Sequence, residues 1–156
     1  MNNYFEQISP TTIIDYATNK LNSNYSDLKP LELYKSKYIS GQTIILKGNK
    51  TKFENLIKFW LSTQIWYGSD SADYFFEKLV IDNLKAYSSW QNDPNRVGIC
   101  EIADDSKKKS LNERISNLLN INHEYDFLIM SPTWNEKKVL FMDELNYYLY
   151  HFWTGE

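Results

Sequence analysis

The side chains best suited to covalent chemistry in this 156-residue chain are a single cysteine, Cys100, and two histidines, His123 and His151. Cys100, His123 and Asp126 could supply a nucleophile, its base and an orienting carboxylate. A thiol nucleophile also needs contact with that base, and usually a helix N-terminus or oxyanion donor to lower its pKa. Cys100 instead follows Val97-Gly98-Ile99, an apolar run that reads as mid-strand, so a core thiol and a surface histidine are expected.

A structural zinc site would have to recruit carboxylates from distant segments, because neither His-Glu-x-x-His nor paired Cys spacing occurs. Asp126 followed by Glu136-Lys137-Lys138 superficially matches the acidic set of a nuclease hairpin. In an antiparallel hairpin, however, the start of one strand lies opposite the end of the next, so these two carboxylates cannot share a metal. Glycine-rich phosphate loops and the Gly-x-Ser-x-Gly elbow are also missing, and five glycines give backbone little chance to approach phosphate. The expectation is no catalytic residue, no metal site and no cofactor.

Aromatic and acidic side chains remain. The chain has five Trp, twelve Tyr and eight Phe. Abundant Lys, Asn, Ile, Tyr and Phe follow from an AT-rich coding bias, whereas Trp has one GC-leaning codon and does not. Trp and Tyr fill cores, but they also anchor interfaces, since they desolvate a large area at small entropic cost. The candidate partner-binding residues pair such rings with carboxylates: Trp134 and Glu136 on a proposed hairpin, Asp104 and Asp105 in a loop, and Asp70 and Asp73 at a helix start. Phe59 and Trp66 join them on the second face of a helix. The plainer reading of these acids is that they complement helix dipoles or keep loops soluble.

Composition bounds the alternatives. A chain of this length fits one domain, 1–156, and 42% hydrophobic with 24% charged residues is the composition of a soluble globular protein. The formal net charge of −3 argues against nucleic acid as the ligand. The one basic run, Lys107-Lys108-Lys109, is offset by Asp104 and Asp105 just before it. No apolar run reaches the ~20 residues of a membrane span, the start shows no basic leader or apolar core, and a lone cysteine suits a reducing compartment. A cytoplasmic protein without membrane contact is expected.

The elements that must carry these residues read as follows. Ser9-Pro10 caps a first helix bearing Ile13, Ile14, Ala17 and Leu21, and Asn22 to Pro30 is loop. Thr43 to Leu46 is a strand ending at Lys47-Gly48-Asn49. Thr51 and Glu54 sit at capping-box spacing before a long helix whose stripe is Phe53, Leu56, Ile57, Trp60 and Leu61. A second long helix runs from Ser69 or Asp70 through Tyr87, with Tyr74 and Ile81 opposite its stripe just as Phe59 and Trp66 are opposite the first. Those second faces are either covered by their own domain, with Tyr4 and Phe5 of the N-terminal segment as candidates, or held open for a partner, and internal cover is the favoured reading.

Beyond Pro94, Arg96 to Ile102 reads as a strand, and Ser110 with Glu113 as a capping box leading a short helix. Tyr125 to Met130 and Lys138 to Met142 form a hairpin, and the tail from Asp143 reads as a helix carrying Leu145, Tyr148, Leu149 and Phe152. The expected fold is α+β: two long central helices plus shorter helices, packed on a small, mostly antiparallel sheet.

The functional expectation is a small cytosolic protein that binds a basic protein partner, such as a toxin or nuclease domain, and occludes its active site. Bacterial immunity proteins are of this general kind, being small, motif-free and often acidic. A phage or mobile-element inhibitor of a host defence protein fits the same physics. A small enzyme with a non-obvious site would instead need a deep pocket holding titratable groups of shifted pKa.

Overall fold

Residues 146–153, Asn-Tyr-Tyr-Leu-Tyr-His-Phe-Trp, carry large side chains at almost every position, a pattern that suits a strand buried on both faces. In the computed structural model, which describes residues 4–9, 12, 13, 15, 16, 32–35, 42–67, 100–132 and 136–153, this segment is a central strand. The tail is therefore not a helix. Four apolar or aromatic residues at 145, 148, 149 and 152 match a helical stripe, but Tyr147, Tyr150 and His151 between them are buried together with Tyr148 and Leu149, while Leu145 is exposed.

The described elements are β1 (Glu32–Lys35), β2 (Gln42–Asn49), α1 (Leu56–Tyr67), β3 (Glu101–Ile102), α2 (Asp105–Leu119), β4 (Leu128–Pro132), β5 (Glu136–Met142) and β6 (Asn146–Trp153), preceded by a 3-10 turn at Tyr4–Gln7. The strands form one six-stranded sheet in the order β1-β2-β6-β5-β4-β3, and every neighbouring pair is antiparallel. Leu149 of β6 lies between Leu46 and Leu140, and Tyr150 between Ile45 and Val139.

Each face of the sheet has its own core. On one, Leu46, Leu128, Met130, Leu140, Tyr147 and Leu149 meet Leu56, Phe59, Trp60 and Leu61 of α1, with Phe5, Ile8 and Ile13 of the N-terminal segment. On the other, Ile45, Phe127, Ile129, Val139, Phe141, Tyr148 and Tyr150 meet Leu111 and Ile115 of α2. Helices flank the sheet and do not form the centre. The expectation of two long central helices on a small sheet is thus corrected: among the described residues the sheet dominates and there are two α-helices. The proposed helix from 69 or 70 to 87 lies outside the described residues, as do the loop 22–30 and the strand portion 96–99.

The observed helix starts depart from the capping-box spacings at two of three positions. Ser9 does cap the first turn: its Oγ accepts from Thr12 N at 3.2 Å while Thr12 Oγ1 accepts from Ser9 N at 2.8 Å, a reciprocal pair. Thr51 with Glu54 does not begin α1. Thr51 instead donates through its amide and hydroxyl to Asn49 Oδ1 in the turn after β2, and Asn55 caps α1 by accepting from Lys58 N at 2.9 Å. Ser110 and Glu113 lie inside α2, which starts five residues earlier because Asp104 Oδ1 accepts from Lys107 N at 2.9 Å. Asn120, in the left-handed conformation at φ 53°, ends α2. Among the described residues no helix is long and apolar enough to cross a membrane.

Candidate functional site

The candidate thiol chemistry comes apart in space. Cys100 packs against the α1-side core, with its thiol 3.7 Å from Met130 Sδ, and burial pushes its pKa up to about 11. His123 is exposed and its ring rests at 4.4 Å on Tyr125, which belongs to the α2-side core. Asp126 pairs with Lys108 at 2.8 Å, and this hydrogen bond is the main reason the Lys108 pKa is raised. Cysteine, histidine and aspartate are not brought together. In the β4–β5 hairpin Pro132 faces Lys137 and Leu128 faces Leu140, which leaves Asp126 and Glu136 at opposite ends. Among the described residues no group of three His, Cys, Asp or Glu side chains could hold a metal ion.

Of the proposed partner-binding residues, Phe59 lies in the α1-side core, apart from Asp104 and Asp105 at the start of α2. Phe59 is wholly buried, edge-on to Phe53 at 5.5 Å and tilted against Tyr147 at 5.8 Å, so it is a core residue and no anchor. At Phe59 that face of α1 is covered by the chain's own sheet. Asp104 serves as the α2 cap, and Asp105 is exposed in the first turn. Trp66 lies in the last turn of α1 and Glu136 at the first position of β5, with only their backbone placement described. Asp70, Asp73 and Trp134 lie outside the described residues.

The structure gathers a different set at one end of the sheet, built on a stack of rings. Asn112 on α2 donates to Tyr125 O at 2.9 Å and accepts from Tyr125 N at 2.7 Å, fixing the segment after the helix. Tyr125 packs on Phe141 at 4.8 Å, and Phe141 stacks on Tyr148 at 4.7 Å with only 6° between the planes. The Tyr148 hydroxyl then donates to Asp143 Oδ2 at 2.8 Å, and Asp143 Oδ1 accepts from the amides of Leu145 and Asn146 at 2.9 and 2.8 Å. The result is a hydrogen-bonded turn between β5 and β6.

Burial, and then the bond to Asp143, drive the Tyr148 pKa far above the ordinary tyrosine value; burial also raises that of Tyr125. A raised pKa in the folded state means the stabilisation is complete below the unfolded value near ~10 and fades as pH climbs beyond it. Tyr148→Phe should cost about 2 kcal/mol at neutral pH, as expected for losing a hydrogen bond to a carboxylate. Urea melts of both proteins should show that difference shrinking above about pH 10; a constant difference would remove Tyr148 titration as its cause.

Two open depressions meet over this stack. One, of about 790 Å³, runs along the polar face of α2 and is lined by Asp105, Lys108, Lys109, Asn112, Glu113, Ser116, Asn117, Asn122, His123 and Glu124. The other, of about 550 Å³, is lined by Lys50, His123, Met142, Asp143, Glu144 and Leu145. His123 belongs to both. Five carboxylates face three lysines across the pair. Lys108 is held by Asp126 and lies 4.0 Å from Glu124, while the Lys50 ammonium sits 5.3 Å over the Tyr147 ring. The surface is acidic on balance. Asp143-Glu144-Leu145-Asn146 between two apolar runs is a turn signal, at the place where the sequence pattern also offers a helix start. No protein-family model matches the chain, and no curated protein or solved structure shows significant similarity to it.

Proposed function

We propose that this chain is a non-catalytic binding protein that covers the active site of a basic protein, such as a bacterial toxin or nuclease domain, in the manner of an immunity protein. The observation that carries the reading is the pair of adjoining acidic depressions around His123, mounted on α2 and the β5–β6 turn. Carboxylates at the rim of such a surface speed encounter with a cationic partner and fix its orientation. A thiol pushed up to about 11 and lying on the other side of the sheet from His123 suits no thiol hydrolase.

The test is capture of the tagged full chain in its native cell at about 50 mM and about 500 mM salt, a range over which the screening length falls severalfold. A stoichiometric, net-positive protein should be retained at low salt and weakened at high salt. One equivalent of the chain should then abolish that protein's own activity. Recovery of no protein, with specific retention of a small molecule, would overturn the reading.

A further inference from the structure

Turn residues are ordinarily polar, yet Leu145 sits at the tip of the β5–β6 turn with 70% of its surface exposed. A single exposed leucine carries no message by itself. This one differs because its backbone is held from both sides. Its amide donates to Asp143 Oδ1 at 2.9 Å, and its carbonyl accepts from Lys50 N at 2.8 Å, tying the turn to the end of β2. The turn closes further through Asp143 N to Asn146 O at 3.1 Å, and Tyr148 holds Asp143 from below. Leu145 also lines the smaller depression, beside the exposed carboxylate of Glu144.

A side chain on a backbone fixed before contact loses little conformational entropy when it is buried by a partner, which is how a small anchor acquires large binding energy. The flanking charge decides what kind of partner buries it. Glu144 adjoins Leu145, Asp143 lies at the base of the turn and Lys50 lines the same depression, so two carboxylates against one ammonium leave the apolar knob in a setting that is negative on balance.

Resting on the binding role proposed above, we infer that Leu145 is the central anchor of the interface, inserted into an apolar slot within a lysine- or arginine-lined cleft of a net-positive protein. The carboxylates act as rim and the leucine as plug. Truncation of such an anchor raises the dissociation rate, whereas removal of a rim charge slows association.

The test places a photo-crosslinking benzoylphenylalanine separately at Leu145, at Asn117 in the larger depression, and at Ile102, an exposed apolar position on β3, in the full chain in its native cell. Illumination should give an adduct from position 145 to a net-positive protein, with the linked peptide in that protein's substrate cleft. With that protein purified, Leu145→Ala should weaken binding about thirtyfold, mainly through faster dissociation, and Ile102→Ala should leave it unchanged. Both variants remove exposed side chains and should melt like the parent.

Adducts to a net-positive protein from position 117 but not from 145, or unchanged affinity of Leu145→Ala, would overturn the anchor while leaving the binding role in place. An adduct from 145 to an acidic protein would overturn the anchor's assigned partner. No protein adduct from any of the three positions would overturn both.

Discussion

Replacing Gly48 with alanine should destabilise the fold by about 3 kcal/mol, at the upper end of what overpacking a filled core costs. A Cβ at this position would lie 2.4 Å from Phe53 Cε2 and 2.7 Å from Phe59 Cδ1. Neither ring can retreat easily, because both are buried and pack edge-on to each other at 5.5 Å. Gly48 is also paired with Tyr147 in the β2–β6 ladder, so its backbone cannot move away without disturbing the middle of the sheet. Urea denaturation should show the midpoint falling at an unchanged slope. Combining Gly48→Ala with Phe53→Leu should recover part of the loss, and a strictly additive double variant would rule out the steric cause.

Phe141→Ala should cost about 4 kcal/mol, within the range for emptying a buried phenylalanine site. Its ring touches Tyr125 at 4.8 Å, Phe127 at 5.4 Å and Tyr148 at 4.7 Å, and none of its surface is exposed. The cavity would open beneath the rings that carry His123 and hold Asp143, so the damage should reach the acidic depressions as well as the core. Amide exchange of Leu145 and Asn146 should accelerate in a variant that remains folded, since their acceptor Asp143 is positioned through Tyr148. Phe141→Leu, which keeps most of the volume, should preserve that protection.

Strands with turn-bounded, β-branched runs were legible: Thr43 to Leu46 and Lys138 to Met142 fall within β2 and β5. The central strand was not, because the alternation that identifies a strand comes from one wet face and β6 has none. Helix existence was easier to read than helix starts. Thr51-x-x-Glu54 and Ser110-x-x-Glu113 have the spacing of a capping box, but caps are chosen by where the chain turns onto the sheet, and there Asn55 and Asp104 perform the role.

The candidate surface was only partly visible for a related reason. Asp105 does line the larger depression, as an acid at a helix start can. His123, Glu124, Asp143, Glu144 and Leu145 come together only because β4, β5 and β6 end at the same edge of the core, and such convergence depends on register. Phe59 misled for the opposite reason. It stands off the apolar stripe of α1 in a helical projection, yet Gly48 leaves a gap in β2 that lets its ring reach the sheet.

The position of β6 has a consequence for how the chain is made. It is the last of the described strands in chain order, yet it pairs on one side with β2, about a hundred residues earlier, and on the other with β5, the described strand just before it. During synthesis, β2 must wait with an unpaired edge until residues 146–153 have left the ribosome. Closing so long a loop is slow, and an apolar strand edge left open in the meantime is a template for pairing with other chains. The time that edge stays uncovered, set by translation speed and by the closing of the loop, is therefore a window in which pairing with other chains competes with folding.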